Sequence, residues 1–249
     1  MPKKWFCATT VAALLLWLGG CGGETAGPMR LPGPPEVQAV AEHADVSPQR
    51  AMELLKEGNK RFSQGQFAAK DLSPGRRQLL AGGQKPFAVV VCCSDSRVPP
   101  ELVFDQGLGD LFVVRVAGNV VDPVVLGSVE YAVEHLHAPL VVVLGHESCG
   151  AVQAAVDGGE APGEIGSIVR KIRPSVQAAS ARGLSGAQAV GLVTDLNVDA
   201  SVEAILASPI VAHLVHVHKV QVSAAKYHLA SGKVEWFEPP ATGTSPATK

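Results

Sequence analysis

The sequence predicts an α/β domain: a central, mostly parallel β-sheet flanked by helices, with an N-terminal helical arm and a strand pair at the C-terminal edge. Three continuous apolar runs, rich in β-branched residues and bounded by turn residues, are typical of buried parallel strands. They cover residues 87–92, 111–116 and 140–144. Helical patterns alternate with these runs, and that order favours a parallel sheet over separate helical and sheet regions.

Cap signals and apolar periodicity predict the helices. Ser47 and Pro48 supply an N-cap and a first-turn proline for a helix that ends near Gly65. The strand pair is predicted by two apolar segments, 220–229 and 233–237, around a turn at Ser231 and Gly232. The remaining predicted helices cover residues 73–81, 99–104, 122–137, 150–156, 165–181 and 187–217, the last broken near Pro209.

Composition limits the kinds of partner. Hydrophobic residues make up 47% of the 249 residues, charged residues only 18%, and the formal net charge is -2. A nucleic-acid-binding domain normally carries a strongly basic surface, so we expect no nucleic-acid partner. A small, uncharged or singly charged substrate fits this composition better.

The N-terminal segment predicts export. Lys3 and Lys4 precede an apolar run at residues 11–18, which is too short to span a membrane comfortably and is typical of a signal peptide over residues 1–20. Small residues before Cys21 resemble a bacterial lipobox, which implies lipidation of Cys21. The alternative is an ordinary signal peptide with Cys21 incidental. We expect a protein on the periplasmic or cell-surface side of a bacterial membrane, held through a lipid anchor only.

The rest of the chain divides accordingly. Residues 21–46 are rich in Gly, Pro, Ala and Glu and are expected to form the anchor and a flexible tether. The predicted domain covers residues 47–240, and residues 241–249 are expected to be a disordered tail.

Three cysteines remain in the predicted domain, and two of them are adjacent. Side chains of neighbouring strand residues point to opposite faces, so the simpler interpretation makes Cys93 and Cys149 metal thiolates and Cys92 a small buried hydrophobic residue. Cys93, His146 and Cys149 together offer two thiolates and an imidazole, a three-ligand zinc set that leaves a fourth position for water or substrate. Both motifs follow apolar strands, where open α/β sheets gather their ligands. A Cys93–Cys149 disulfide is the alternative, and it would leave His146 unexplained.

Asp95 and Arg97 form a second motif beside the first thiolate. Their spacing puts both side chains on one side of an extended turn, where an arginine can hold a carboxylate in a bidentate grip and keep it ionised. Such a carboxylate could orient a water at the metal. Two alternatives remain: a structural ion pair that only fixes the loop, or Asp95 as a fourth metal ligand that closes the site.

Four longer motifs resemble the β-class carbonic anhydrases: CSDSRVPPELVFD (93–105), GDLFVVRVAGN (109–119), SVEYAVEHL (128–136) and VVVLGHESCGAV (141–152). The resemblance runs from about Ser47 to the final strand pair. It implies one Zn²⁺ per chain, bound by Cys93, His146 and Cys149, with Asp95 and Arg97 as a catalytic pair.

The resemblance also implies a substrate pocket in a homodimer or a dimer of dimers. Gln84 matches a glutamine that hydrogen-bonds substrate, and Val98 and Gly150 match residues that line the pocket. Phe112 and Tyr131 match aromatic residues of its apolar wall, usually from the partner subunit. The simpler alternatives are a core role for Phe112 and an exposed turn for Gln84.

Three positions bear on how closely the resemblance applies. Val116 stands where the family usually has Asn, and Glu147 adds a carboxylate directly after His146. Val90 replaces the Trp of the bicarbonate-inhibited branch, which favours the type in which Asp95 stays off the metal.

The function implied is reversible hydration of CO2 to bicarbonate and a proton, by attack of zinc-bound hydroxide on CO2. Two alternatives stay open. The same site could hydrolyse carbonyl sulfide or carbon disulfide, or the chain could be a non-catalytic zinc-binding lipoprotein.

Overall fold

A single five-stranded sheet forms the centre of the computed structural model, which describes residues 45–237. Its strands are β1 (Ala88–Cys92), β2 (Leu111–Arg115), β3 (Leu140–His146), β4 (Gln221–Tyr227) and β5 (Val234–Trp236). They lie in the order β2-β1-β3-β4-β5. The first four strands are parallel and β5 runs antiparallel to β4 at the edge. The predicted fold class, including the C-terminal strand pair, is confirmed.

Eight α-helices and one short 3-10 turn surround the sheet among the described residues. Side chains of Ser47, Ser73, Asp122 and Ser208 accept backbone hydrogen bonds at four helix starts, each followed by a proline in the first turn. The helices are α1 (Pro48–Ser63), α2 (Pro74–Leu80), α3 (Pro100–Val103), α4 (Pro123–Glu134), α5 (Gly150–Asp157), α6 (Ile165–Ser180), α7 (Gly186–Leu206) and α8 (Pro209–His216), with the 3-10 turn at Ala117–Asn119.

One boundary differs from the sequence prediction in a way that matters. Strand β3 was expected to end at residue 144, but its ladder with β4 continues until His146 pairs with Tyr227. His146 is therefore the last residue of a paired strand and not part of the loop beyond it. The break expected near Pro209 in the helical stretch 187–217 is confirmed: two helices meet there at 87°, because Ser208 caps the second helix and Pro209 cannot continue the first.

Strand β1 separates two apolar cores because its side chains alternate between the faces of the sheet. Val89 and Val91 pack in a core with residues of α4, α7 and α8. Val90 and Cys92 pack on the other face with residues of α1 and α3. A third cluster lies beneath the carboxyl end of the sheet and contains Cys93, next to residues of α5, α6 and α7.

No single helix within residues 45–237 is both long and apolar enough to cross a membrane, although the bent pair α7 and α8 meets the length and composition limits together. The predicted signal at residues 1–20, the lipidation residue Cys21 and the tail at 241–249 lie outside the described residues.

Candidate metal centre

Three predicted metal ligands meet at the carboxyl edge of the sheet. Cys93 directly follows β1, His146 ends β3, and Cys149 is the residue before the first turn of α5. Their ligand atoms all lie within 4.8 Å of one another, and all three residues are buried. Among residues 45–237, this is the only group of three or more His, Cys, Asp or Glu side chains that is close enough to hold one metal ion.

The two cysteines are free thiols, in contrast to the disulfide alternative. Their sulfur atoms are 4.0 Å apart, about twice the length of a disulfide bond, which is roughly 2.05 Å. Tetrahedral zinc with bonds of about 2.3 Å would separate two thiolate sulfurs by roughly 3.8 Å. The observed spacing therefore fits two ligands of one zinc ion.

His146 has one ring nitrogen committed to the protein and one without a protein partner. Its Nδ1 lies 2.7 Å from the backbone carbonyl oxygen of Glu147. A carbonyl oxygen only accepts, so Nδ1 carries a proton, and in the neutral ring Nε2 carries the lone pair. This Nε2 is buried without a hydrogen-bond partner. An orphaned buried acceptor is costly, and a metal ion between Nε2 and the two sulfurs would satisfy it.

The surroundings of the cysteines favour one thiolate at the centre. The hydrogen bond from Cys149 and the backbone N–H of Gly118, 3.3 Å from the Cys93 sulfur, hold the pKa of Cys93 well below its usual value, against the effect of burial. The neighbouring Cys93 thiolate and burial raise the pKa of Cys149. Burial opposes the charged form of His146, but the nearby negative charge of the Cys93 sulfur raises the pKa of His146 overall.

Cys92 is different from Cys93 although the two are adjacent. It is fully buried on the opposite face of β1, and burial raises the pKa of the Cys92 thiol to about 12. Cys92 is therefore an inert part of the core and is not available to the metal centre.

Asp95 and Arg97 form a bidentate pair beside the ligands. Arg97 donates from Nε to Asp95 Oδ1 at 2.9 Å, from Nη2 to Oδ2 at 2.7 Å, and from its backbone N–H to Oδ1 at 2.9 Å. These bonds hold the pKa of Asp95 well below its usual range. Asp95 Oδ2 is 3.9 Å from Nε2 of His146, so an ionised carboxylate lies at the border of the cluster with both oxygens bound by arginine.

Sequence reasoning missed the residues that hold these loops in place. Arg115, the last residue of β2, donates to the backbone carbonyls of Cys93 and Asp95 at 3.1 and 2.6 Å. Asn197 donates to Gly118 O at 2.7 Å, and Ser201 donates to Asn119 O at 3.0 Å. Two signals were available: a charge at the end of an apolar strand, and polar residues at helical spacing within the apolar α7.

Two glycines allow the helices to approach the centre. A Cβ atom on Gly145, next to His146, would lie 2.5 Å from Val198 Cγ2 of α7. Gly118 has a φ of +70°, and a Cβ atom there would lie 2.9 Å from Ile172 Cδ1. Side chains at either position would displace the elements that carry the ligands.

The structure brings only some of the predicted pocket residues to this centre. Val98 is fully buried in the loop after Asp95, and Gly150 is the first residue of α5. Gln84 is exposed before β1. Phe112 pairs with Val89, four residues before Cys93, a separation of about 13 Å at roughly 3.3 Å per strand residue.

Tyr131 accompanies Phe112 and not the metal centre of its own chain. The two ring centroids are 6.2 Å apart, and Tyr131 is 48% exposed. Within one chain, Phe112 and Tyr131 form an aromatic pair near the opposite end of the sheet from the ligands.

The fold and the site define the class as an α/β protein with a buried Cys₂His cluster and an arginine-held carboxylate at the carboxyl edge of a parallel sheet. Three such ligands are the donor set of catalytic zinc sites, because structural zinc sites use four protein ligands. The carbonic anhydrase family model matches residues 88–234. Carbonic anhydrase 2 of Mycobacterium tuberculosis is 51% identical over 145 residues, 57% of this chain and 70% of that protein. Carbonic anhydrase of Mycolicibacterium smegmatis is 44% identical over 194 residues, 76% of this chain and 93% of that protein.

Solved structures agree with the sequence relatives. The Coccomyxa β-carbonic anhydrase, solved in complex with acetazolamide, superposes with a TM-score of 0.62 at 32% identity and covers 67% of this chain and 78% of its own. One of two tetrameric β-carbonic anhydrases from Sordaria macrospora gives a TM-score of 0.63 at 25% identity, covering 70% and 89%. The chain belongs to the β-class carbonic anhydrase family.

Proposed function

We propose that this chain catalyses the reversible hydration of CO2 to bicarbonate and a proton, with one Zn²⁺ held by Cys93, His146 and Cys149. The observation that carries the proposal is the buried, unpartnered Nε2 of His146, which lies with two cysteine sulfurs and the Asp95 carboxylate. Membership of the carbonic anhydrase family supports the same reaction.

The donor set fits zinc. Two thiolates and one imidazole suit Zn²⁺ and do not suit the oxygen-seeking cations Mg²⁺ and Ca²⁺. When bound, zinc supplies a Lewis acid that lowers the pKa of water from 15.7 to about 7. The Nδ1–H bond of His146 to Glu147 O keeps the imidazole in the tautomer that presents Nε2 to the ion.

Asp95 and Arg97 prepare the polar side of the site. Because the pKa of Asp95 is held low by Arg97, the carboxylate remains an acceptor throughout the neutral range. An acceptor of fixed direction can take a hydrogen bond from the water that is to react and aim its lone pair at the substrate carbon. Arg97 also donates to Ser148 O at 3.3 Å, which ties the pair to the loop that carries Cys149.

We assign Phe112 and Tyr131 to the pocket of a partner subunit in a homodimer or a dimer of dimers, and Gln84, which is exposed before β1, to substrate binding. The separation of about 13 Å between Phe112 and the ligand end of the sheet supports this assignment, as does the tetrameric assembly named for the Sordaria relative. Val98 and Gly150 would line the pocket from the same chain as the ligands.

Mixed dimers test this assignment. Tyr131→Ala removes an exposed ring at little cost to folding, and Asp95→Asn disables the polar pair. In a mixed dimer, the site of the Tyr131→Ala chain keeps its own Asp95 and receives an intact Tyr131 from the partner. We expect each variant alone to have little activity. Mixing the two should restore up to half of the parental activity per mixed dimer. No recovery with verified mixing would place Tyr131 outside the partner's site.

Stopped-flow CO2 hydration on the zinc-loaded protein between pH 6.5 and 9 tests the function itself. We expect catalysis above the buffer rate that rises with pH, and loss of both zinc and activity in Cys93→Ser. No hydration at full zinc occupancy would refute the proposal. Hydrolysis of carbonyl sulfide or carbon disulfide without CO2 hydration would favour the first alternative, and zinc binding without any turnover would favour the non-catalytic lipoprotein.

We also propose export and lipid anchoring at Cys21, with no other membrane attachment. The support is the sequence of residues 1–21 alone. Mass spectrometry of the protein from membranes should find a lipid on an N-terminal Cys21, and Cys21→Ser should release the protein from the membrane fraction. An unmodified Cys21 in a mature chain that begins elsewhere would refute lipidation.

A further inference from the structure

We propose that Glu147 is a positioning residue for His146, acting through a carboxylate clamp on the β4–β5 hairpin. The proposal rests on the proposed function, because it takes His146 to be a metal ligand. No catalytic contact is assigned to Glu147. Its effect is to fix the peptide group that directs the His146 ring.

The carboxylate of Glu147 uses both oxygens on one end of the hairpin. Oε1 lies 2.6 Å from Nδ1 of His228, and Oε2 accepts the backbone N–H of Leu229 at 3.0 Å. The backbone N–H of Glu147 also donates to Tyr227 O at 3.1 Å. Three consecutive hairpin residues therefore hold Glu147, two of them through its side chain.

The same residue supplies the acceptor that sets the orientation of the metal ligand. The Glu147 carbonyl oxygen accepts the Nδ1–H of His146 at 2.7 Å, and this bond determines both the tautomer and the direction of Nε2. Rotation of the Glu147 peptide would move the acceptor away from Nδ1. The clamp resists that rotation because the side chain and the backbone N–H of Glu147 are both fixed to β4 and the residues after it.

His228 is itself held from both sides, which makes it a firm anchor. Its Nε2 lies 2.9 Å from Glu235 Oε2 on β5, and its backbone N–H donates to Lys233 O at 2.9 Å. Both ring nitrogens face carboxylate oxygens, which favours the protonated ring that donates from both nitrogens. Charge-assisted bonds of this kind are stronger than neutral ones.

A clamp could instead serve only the hairpin, and the two roles predict different measurements. A residue that only stabilises the hairpin affects the free energy of unfolding and leaves metal binding unchanged. Loss of a positioning residue also weakens metal binding, since substituting the hydrogen-bond partner of a metal-bound histidine typically lowers metal affinity by about 10- to 100-fold. Two readouts separate the roles: the rate of zinc release to a chelator, and the visible absorption spectrum of the cobalt(II)-substituted protein.

The experiment compares Glu147→Ala with Glu147→Gln and with a matched control in the full chain. Glu130→Ala is the control, because Glu130 accepts a comparable 2.6 Å bond from Ser208 at the start of α8, in an apolar region shared by α4 and α8 and not at the metal centre. We expect Glu147→Ala to release zinc about tenfold faster or more and to change the cobalt spectrum. Glu147→Gln should stay closer to the parent in both measurements, because its amide oxygen can still accept the Leu229 N–H.

The outcomes are distinguishable from failure of the proposed function. Glu130→Ala should lower the melting temperature with zinc release and cobalt spectrum unchanged. Parental zinc release and spectrum in Glu147→Ala, with an active parent, would overturn the positioning role and leave the proposed function intact. A parent that takes up no zinc would overturn both. Should Glu147→Ala fail to fold, His228→Ala removes the 2.6 Å contact from the other side, and zinc release at the parental rate there would equally refute the proposal.

Discussion

Replacing Asp95 by Asn should separate catalysis from stability and from metal binding. The substitution keeps the shape of the side chain but removes the charge, and the amide nitrogen can no longer accept from Arg97. General acid–base and orienting groups contribute about 10²- to 10⁴-fold, so we expect hydration of CO2 to fall at least about a hundredfold. At about 1.36 kcal/mol per tenfold, this is a rise of at least about 2.7 kcal/mol in the barrier.

Loss of the Asp95–Arg97 ion pair should lower the free energy of unfolding only slightly. Arg97 is 53% exposed and Asp95 17% exposed, and an ion pair with one partner largely in water contributes about 0–1 kcal/mol. The melting temperature should therefore fall by no more than about 2–4 °C. Zinc content should stay at one per chain, because both Asp95 oxygens bind arginine and not the ligand cluster.

The assay is stopped-flow hydration on protein of measured zinc content, with unfolding followed by circular dichroism. Glu53→Gln is a matched control: it removes an exposed arginine contact of 3.0 Å in α1 and should leave activity unchanged. Hydration within threefold of the parent in Asp95→Asn would refute the role of the carboxylate. Loss of zinc together with activity would show that Asp95 acts on the metal and not on the reacting water.

Three further predictions concern the two adjacent cysteines, Gly145 and the buried carboxylate of Asp105. Cys93→Ser should lose stoichiometric zinc, measured by elemental analysis, whereas Cys92→Ala should keep it and lose only stability, since Cys92 packs on the other face of β1. Gly145→Ala should destabilise the fold by about 1–3 kcal/mol in urea unfolding, because its Cβ atom would overlap α7, and zinc-release kinetics should show weaker binding. Asp105→Asn should cost about 2–4 kcal/mol at pH 7, since it breaks a buried carboxylate's ion pairs with Arg61 and Lys70. Burial raises the pKa of Asp105, but the two cations hold the pKa below its usual value. The stabilisation is therefore present above about pH 4 and is lost as the pH falls further. At such low pH, the parent and Asp105→Asn should have the same stability.

Local patterns were enough to predict the order of elements and the meeting of Cys93, His146 and Cys149 at one point. Apolar runs bounded by turns predicted the strands, and Ser47 followed by Pro48 predicted the start of α1. Cys93, His146 and Cys149 could be grouped because parallel strands end at a common edge. The spacing of Asp95 and Arg97 was short enough for their bidentate contact to follow from the sequence alone.

What the sequence could not provide depended on contacts between distant segments. The extension of β3 to His146 arises from its ladder with β4, and no local signal distinguishes Gly145 in a strand from Gly145 in a turn. The role of Arg115 requires knowing that β2 lies beside β1. Glu147 looked like an isolated departure from the family pattern, because its partners His228 and Leu229 are more than eighty residues away.

From the pairing of His146 with Tyr227 we also expect the candidate metal centre to form late in folding. All three ligands are present in the first 149 residues, but the strand that completes the ladder begins at Gln221, and Glu147 and His228 are separated by 81 positions. Long-range parallel pairing forms slowly because a long loop must close first. We therefore expect a nascent chain to carry its candidate ligands well before it can orient them, and a chain truncated before Gln221 to bind zinc weakly although Cys93, His146 and Cys149 are all present.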